Sequence, residues 1–365
     1  MVSNIPYVAE DRTVHRGTLV MPLTLANDRT VNPVDHTTYF IGGHPCDQHG
    51  AKLTAIVNNS TTVELAQGLV AQHYFSAKPP KGHYDDYYEK VATYGAILCG
   101  PAAMLESGAV PNPGGFVSSS EEEDSVFHYL DTASPRAEIT TITAKLERRK
   151  VVIVGMGGTG GYVLDQVAKT PVEEIHLYDG DLFHQHNAFR APGAASGDEL
   201  DGQPFKVDYF AGIYGKMRRG IEAHPEYLTA ENIDSVRDAD FVFLCIDDGS
   251  AKALIVERLE QFGVSFIDVG MGIYAQDGKL GGVVRVTTST PTKREHIRDR
   301  GLISFANPEG DDDYNRNIQV ADLNALNAIM AVIRWKKLWG FYVDFSGEGH
   351  CTYTVDTNKL DDDSE

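Results

Sequence analysis

Hydrophobic and polar positions divide the chain into a mixed front section and a long remainder in which apolar runs alternate with amphipathic stretches. In front, RGTLVMPLTL and KLTAIV read as strands, and GHYDDYYEKVATYGAILCG as an aromatic-rich helix with Tyr84, Tyr87, Tyr88, Val91 and Tyr94 near helical spacing. Between Leu105 and Arg136 the composition shifts to Gly, Pro, Ser and acids, as a solvated linker does. PRAEITTITAKLERRK then predicts a helix leading into Val151–Val154, a β-branched run suited to a strand buried on both faces of a parallel sheet. A helix over 159–169 follows, then a strand closing in Asp179, a helix opening at Lys206, the strand FVFLC, a helix over 250–262 and the strands VSFIDVG and GGVVRV. After a polar stretch, 320–341 reads as an apolar helix with Leu323, Leu326, Met330 and Ile333 on its packing face. NKLDDDSE reads as a disordered acidic tail. The expected fold class is α/β: a Rossmann-like, doubly wound domain behind a smaller α+β domain. The expected boundaries are 1–110 for the accessory domain, 111–135 for the acidic linker, 136–350 for the main domain and 351–365 for the tail.

The strand at Val151–Val154 runs directly into GMGGTG. Gly155, Gly157 and Gly160 fit G-x-G-x-x-G, whose missing side chains permit a tight turn, close approach of backbone to phosphate, and close packing of helix on strand. The helix behind the loop points its free N–H groups and positive dipole end at a bound anion. Asp179 lies 24 residues after Gly155, where a carboxylate can bind ribose hydroxyls. Strand, loop, helix and acid together predict a nucleotide site; a bare glycine motif could equally be a packing turn.

Further polar features follow in order: Gly158 as an extra loop glycine, Asn187 and Arg190 as N-x-x-R, Lys206 in GQPFK, and Asp247–Asp248 after FVFLC. With these the sequence resembles the ThiF/MoeB-type, ubiquitin-activating-enzyme-like adenylation family, known for G-x-G-G-x-G, D-x-D, N-x-x-R, a G-x-P-K-like lysine and a C-T-D-N-like strand end. The resemblance covers roughly 150–290, with a continuation to 340. It implies Gly155, Gly157, Gly158 and Gly160 on the phosphates of ATP and Asp179 on the ribose. It further implies Asn187, Arg190 and Lys206 as phosphate contacts, with Arg190 and Lys206 catalytic, and Asp247 as the catalytic magnesium ligand. Two departures stand out: Phe205 is inserted before the lysine, and Asp248 replaces an asparagine, adding charge near the ion. The front part resembles a domain found ahead of bacterial ThiF-type proteins in operons related to ubiquitin-like modification.

The chemistry accounts for that set on its own terms. Adenylation attacks the α-phosphate with a carboxylate and expels pyrophosphate, so charge accumulates on the β and γ oxygens. Positioned Arg and Lys with Mg²⁺ stabilise it, and magnesium commonly takes one or two carboxylates plus substrate phosphates. The implied activity is ATP- and Mg²⁺-dependent adenylation of the carboxyl terminus of a ubiquitin-like protein, with a conjugating enzyme as a further partner and a homodimer as the expected state. Two other classes remain at this point. A nicotinamide-dependent oxidoreductase would use the glycine loop and Asp179 but leave Asn187, Arg190, Lys206 and Asp247 unexplained. A catalytically silent nucleotide-binding scaffold would need none of the polar set.

Net charge of −20 over 365 residues argues against nucleic-acid binding and suits basic or neutral protein partners. No apolar run approaches the ~18 residues of a membrane span, and MVSNIPYVAEDR lacks a signal-peptide pattern, so a cytoplasmic protein is expected. Cys46, Cys99, Cys245 and Cys351 form no C-x-x-C pair, so neither structural zinc nor a disulfide framework is expected. His44, Cys46, Asp47 and His49 read as a polar turn, and Arg136 is by position a candidate to reach a partner's ATP site. The thioester nucleophile of conjugating relatives has no clear counterpart: Cys245 lies within a strand, and Cys351 sits beside His350. The polar stretch, at the crossover-loop position of the family, offers the hydroxyls of Thr287, Thr288, Ser289, Thr290, Thr292 and Ser304 instead.

Overall fold

The computed structural model describes residues 1–26, 29–109, 125–305 and 318–363. They form two compact units: residues up to 141 other than Ser125–His128, and Ser125–His128 together with the residues from Ile142 onward.

In the first unit, β1 (Val2–Val8), β2 (Val14–Val20), β5 (Thr37–Ile41), β6 (Val57–Asn59) and β9 (His73–Ser76) make an antiparallel sheet in the order β1-β2-β5-β9-β6. Two small ladders accompany it, β3 (Leu25–Ala26) with β4 (Arg29–Thr30) and β7 (Val63–Ala66) with β8 (Leu69–Ala71). Helix α1 (Tyr87–Leu105) starts where Asp86 caps the Glu89 N–H, and it buries Tyr94, Leu98 and Cys99 against Phe40 and Phe75. Two expectations change here. KLTAIV is strand only from Val57, because Leu53 N–H folds back to the Pro45 carbonyl in a turn. The tyrosines do not share one face: Tyr84 precedes α1 and is buried, while Tyr88 is 83% exposed. Asp47 accepts N–H groups from His49 and Ala51, so GGHPCDQHG is the expected polar turn.

The second unit is built on a sheet of order β12-β11-β10-β13-β14-β15-β16-β17. Its strands are β10 (Lys150–Val154), β11 (Glu174–Tyr178), β12 (Ile221–His224), β13 (Phe241–Leu244), β14 (Ser265–Gln276), β15 (Lys279–Ser289), β16 (His350–Thr354) and β17 (Lys359–Asp362). The first five in spatial order are parallel and the pairs beyond β14 antiparallel. Strand order reverses between β10 and β13, the switch point at which doubly wound sheets open a crevice for ligands. The helices that matter for the site are α2 (Gly158–Val167), α3 (Gln185–Ala188), α4 (Lys206–Tyr214), α5 (Gly249–Phe262) and α6 (Ala321–Leu338). Apolar layers cover both sheet faces. Val151, Ile153, Phe243, Val269 and Val286 pack with α2 and α6, whereas Val152, Val154, Val242 and Leu244 pack with α5.

This is the expected Rossmann-like architecture, with four local corrections. The predicted helix over 136–150 is broken into Ala133–Arg136, Thr140–Thr143 and a 3₁₀ turn at Ala144–Leu146; Glu138 sits at φ 59° and the Thr-Thr-Ile-Thr run is β-branched. Helix α6 packs Asn324, Asn327, Ala328, Ala331 and Trp335 inward while Ile333 is 40% exposed, because small residues let it lie close to α2. Of the expected tail 351–365, the described residues 351–363 are not simply a tail. β16 and β17 extend the sheet, and the Asp363 carboxylate accepts N–H groups from Gly349 and His350. The polar stretch begins inside β15, so Thr287, Thr288 and Ser289 are buried sheet residues; positions 306–317 lie outside the described residues.

Candidate functional site

A cavity of about 940 Å³ opens at the switch point and runs along the carboxyl ends of the strands toward β16. Its lining gathers Gly155, Gly157, Gly158, Asp179, Arg190, Lys206 and Asp247 from five separate chain segments. Gly160 and Asn187 are not in that lining.

The loop geometry explains why its glycines differ. Gly155 has φ +89°, its N–H bonds the Tyr178 carbonyl at 2.8 Å, and a Cβ there would meet the Cys245 carbonyl at 2.6 Å. A Cβ on Gly160 would lie 1.8 Å from the Gly155 carbonyl oxygen, so this glycine lets α2 sit against the loop. A Cβ on Gly158 would strike Asn324 Nδ2 at 2.2 Å, so Gly158 admits α6. At Gly157, the N-cap of α2, nothing lies within 4 Å; that space is cavity. Asn187 is buried in α3, where its Oδ1 caps the His184 N–H at 2.8 Å and its Nδ2 has no partner among the described residues.

Asp179 is tied down by its own loop, accepting from Met156 N–H at 2.7 Å and Asp181 N–H at 2.9 Å. Lys206, the first residue of α4, places Nζ 2.5 Å from Asp181 Oδ2 and 3.5 Å from Asp179 Oδ2. Phe205 serves as N-cap residue and does not displace the lysine from the cavity. Tyr227 also donates to Asp181. Burial opposes ionisation of Asp181, yet the bonds from Lys206 and Tyr227 prevail and hold its carboxyl below the usual range. The bond to Asp181, aided by burial, pushes the Tyr227 hydroxyl up to about 12. Asp181 and Tyr227 are not singled out from the sequence; the D-x-D pattern that begins at Asp179 signals the first, and nothing local signals the second.

Asp247 is exposed at the start of the turn into α5, whereas Asp248 Oδ1 caps that helix through Ser250 N–H and Ala251 N–H. Arg190 lines the cavity from the end of the α3 segment, with its Nε buried and lacking a partner among the described residues. From α6, Asn324 Oδ1 receives the Thr159 hydroxyl and Asn327 Nδ2 donates to the Gly270 carbonyl. The other amide atoms of both asparagines are buried and unpaired among the described residues. Unpaired buried donors and acceptors around a cavity are costly unless a polar ligand completes them.

Beneath the antiparallel end lies an ion cluster that no motif announced. Asp268, fully buried, has Lys252 Nζ at 2.9 Å on one oxygen and Arg285 Nη1 at 2.7 Å on the other. Both contacts lie off hydrogen-bonding directions and act as ion pairs. Lys252 and Arg285 also line the cavity.

The thiols are unsuited to attack. Cys245 lines the cavity but is half-buried, and burial drives its pKa far up. Burial, with Glu348 adding, pushes Cys351 up to about 11, and its side chain packs into the core. Of the six hydroxyls offered by the polar stretch, Ser304 alone lines the cavity. Among the described residues no three His, Cys, Asp or Glu side chains gather to hold a metal, and no helix is long and apolar enough to cross a membrane.

No curated protein matches the chain. Among solved structures, E. coli MccB with MccA-N7isoASN is 18% identical, covering 64% of this chain and 67% of its own at a TM-score of 0.48. E. coli MccB with ATP is likewise 18% identical, covering 64% and 68% at 0.46. PaaA is 17% identical, covering 77% and 83% at 0.49. Residues 1–132 match a domain of unknown function (DUF6791). Residues 134–333, more than half of the sequence, match the ThiF family, and the chain therefore belongs to the ThiF family of adenylating enzymes.

Proposed function

We propose that the protein adenylates the C-terminal carboxylate of a ubiquitin-like protein, with ATP as co-substrate and Mg²⁺ as cofactor, in a conjugation pathway. The observation that carries this reading is one cavity at the switch point lined by a glycine loop, two cations and a strand-end aspartate. The substrate carboxylate oxygen attacks the α-phosphorus; a C(O)–O–P bond forms, the bond between the α-phosphorus and the bridging oxygen breaks, and pyrophosphate leaves with the electron pair. The N–H groups around Gly157 and the amino end of α2 face the phosphates. Each Asp179 oxygen keeps a lone pair for a ribose hydroxyl after accepting its backbone bond. Arg190 and Lys206 offset the charge that builds on the departing pyrophosphate.

Magnesium fits what the residues offer. Asp247 stands exposed at the cavity wall, and one carboxylate plus substrate phosphates is an ordinary Mg²⁺ set. When bound, the ion would supply Lewis-acid stabilisation of the phosphate oxygens. Asp248 is engaged in capping α5 and serves mainly to fix the Asp247 backbone.

Neither cysteine near the sheet is poised to take the acyl group, which favours direct transfer of the adenylate to an acceptor. The front domain would recruit a conjugating enzyme, and the protein would act as a homodimer. ATP–pyrophosphate exchange with small proteins ending in an accessible glycine tests the reading. Exchange should occur in the wild type and fall at least a hundredfold in Arg190→Ala and Asp247→Ala, the range set by loss of one preorganised charge. Undiminished exchange in both variants would overturn the site assignment.

A further inference from the structure

The ion cluster beneath the antiparallel end of the cavity has more positive charge than its own carboxylate can neutralise. Lys252 and Arg285 flank a single Asp268, and the Lys252 side chain is 5% exposed while that of Arg285 is 20% exposed. Removing ions from water costs several kcal/mol each unless they are paired. The surplus charge therefore reaches the cavity through Arg285.

The register of the sheet prepares that guanidinium. Arg285 faces Gly270 across the β14/β15 ladder and Thr352 across β15/β16. A Cβ on Gly270 would lie 2.5 Å from Arg285 Nε, 2.7 Å from Cζ and 2.8 Å from Nη2. The glycine is thus the space in which the guanidinium lies across β14. Among the described residues only Nη1 is engaged, by Asp268 and by the Thr287 hydroxyl at 3.1 Å. Thr287 is itself held by His350 Nδ1 at 2.9 Å, so the fork is braced from behind. The Nε–Nη2 edge remains as a planar pair of donors, the geometry that matches a carboxylate with two parallel bonds. The guanidinium lies across β14, two strands from β10 and on the order of 10 Å away at ordinary strand spacing. It therefore meets a second substrate that approaches the phosphates from the antiparallel side of the cavity.

We infer that Arg285 is the specificity residue that reads the free C-terminal carboxylate of the protein substrate, presenting its Nε–Nη2 edge while Asp268 and Thr287 hold Nη1. This inference rests on the adenylation reading and assigns its second substrate a recognition residue. Gly270 and Thr352, its register partners on the neighbouring strands, line the same cavity.

The test uses the full chain saturated with a non-hydrolysable ATP analogue and Mg²⁺. The probes are two fluorescent nonapeptides ending in Gly-Gly, one with a free carboxylate and one with a carboxamide, followed by anisotropy. The wild type should bind the carboxylate peptide at least tenfold more tightly than the amide. Arg285→Gln should bring the two affinities together, and Arg285→Lys, which keeps the charge without the fork, should fall between. Affinity for the ATP analogue, measured separately by calorimetry, should stay within twofold in both variants; this also verifies a folded cavity. A carboxylate preference that survives in Arg285→Gln, or a wild type indifferent to the carboxylate while binding the nucleotide, would overturn the inference. Failure of the wild type to bind the nucleotide would instead remove the adenylation reading on which it stands.

Discussion

Three alanine substitutions within one six-residue loop should give three different results. Gly157→Ala changes a residue at φ −75° and ψ −153°, a conformation alanine adopts, with no atom within 4 Å of the new methyl. Losing glycine as N-cap costs on the order of 0.5 kcal/mol. Restricting the unfolded chain returns roughly 0.4–1 kcal/mol. The net change in stability should lie within about 0.5 kcal/mol of zero. Gly160→Ala places its methyl 1.8 Å from the Gly155 carbonyl oxygen, more than 1 Å inside the 3.0 Å that real Cβ contacts respect. Helix α2 would have to move off the strand, so the cost should reach or exceed the upper end of the ~1–3 kcal/mol typical of overpacking. Gly155→Ala adds a positive-φ penalty of roughly 1–2 kcal/mol to a 2.6 Å clash and should match or exceed Gly160→Ala. Urea unfolding gives the stabilities, and calorimetric titration with ATP and Mg²⁺ gives binding. The informative variant is Gly157→Ala: stable as the wild type, yet at least tenfold weaker for ATP, because its methyl fills the approach to the loop N–H groups. A Gly157→Ala protein that binds ATP normally would refute the phosphate-cradle reading; a fully stable Gly160→Ala protein would refute the packing argument.

Other expectations are separable from that one. Arg218 is 1% exposed and donates to the carbonyls of Thr170, Val172 and Glu173, so Arg218→Met should destabilise by about 1–3 kcal/mol through unsatisfied carbonyls, read as a lower urea midpoint. Cys351→Ala should leave pyrophosphate exchange within twofold; a hundredfold loss would give this thiol a chemical role. Burial pushes its folded pKa up to about 11 from the 9.0 of a free thiol, so the stability linked to its protonated form is complete below pH 9 and declines as pH rises from 9 through 11. Native Cys351 should accordingly resist iodoacetamide at pH 8, as mass mapping of alkylated peptides would show.

The parts of the site that could be read from sequence are those whose partners are near in the chain or fixed by one motif. The strand into Gly155, helix α2, Asp179 and the start of α4 at Lys206 belong to this group, because apolar runs and glycine turns encode them locally. Sequence alone does not say which glycine of the loop serves packing: Gly160 lies against the Gly155 carbonyl and Gly157 against open cavity, a division that only the packed structure reveals. Asn324 and Asn327 were lost because a search for an apolar stripe ranks Leu323, Leu326, Met330 and Ile333 first, whereas α6 packs through alanines and amides. The Lys252–Asp268–Arg285 cluster joins α5, β14 and β15, and no spacing in the chain announces such a meeting. Residues 359–362 read as a tail because an exposed acidic edge strand carries no apolar alternation; backbone pairing with β16 makes it a strand.

Pairing along β14, β15 and β16 sorts side chains by parity: Gly270, Arg285 and Thr352 share one register row, and Val269, Val286 and Cys351 the next. A single-residue deletion within β15 would exchange those rows, driving a guanidinium into the apolar layer and a valine into the opening. Length variation in this hairpin is therefore confined to its tip at Asp277–Gly278, where both residues already have positive φ. Engineers wishing to graft an affinity handle or a reporter onto this half of the molecule have that tip as the safe splice point, and no position between Asp268 and Gly272.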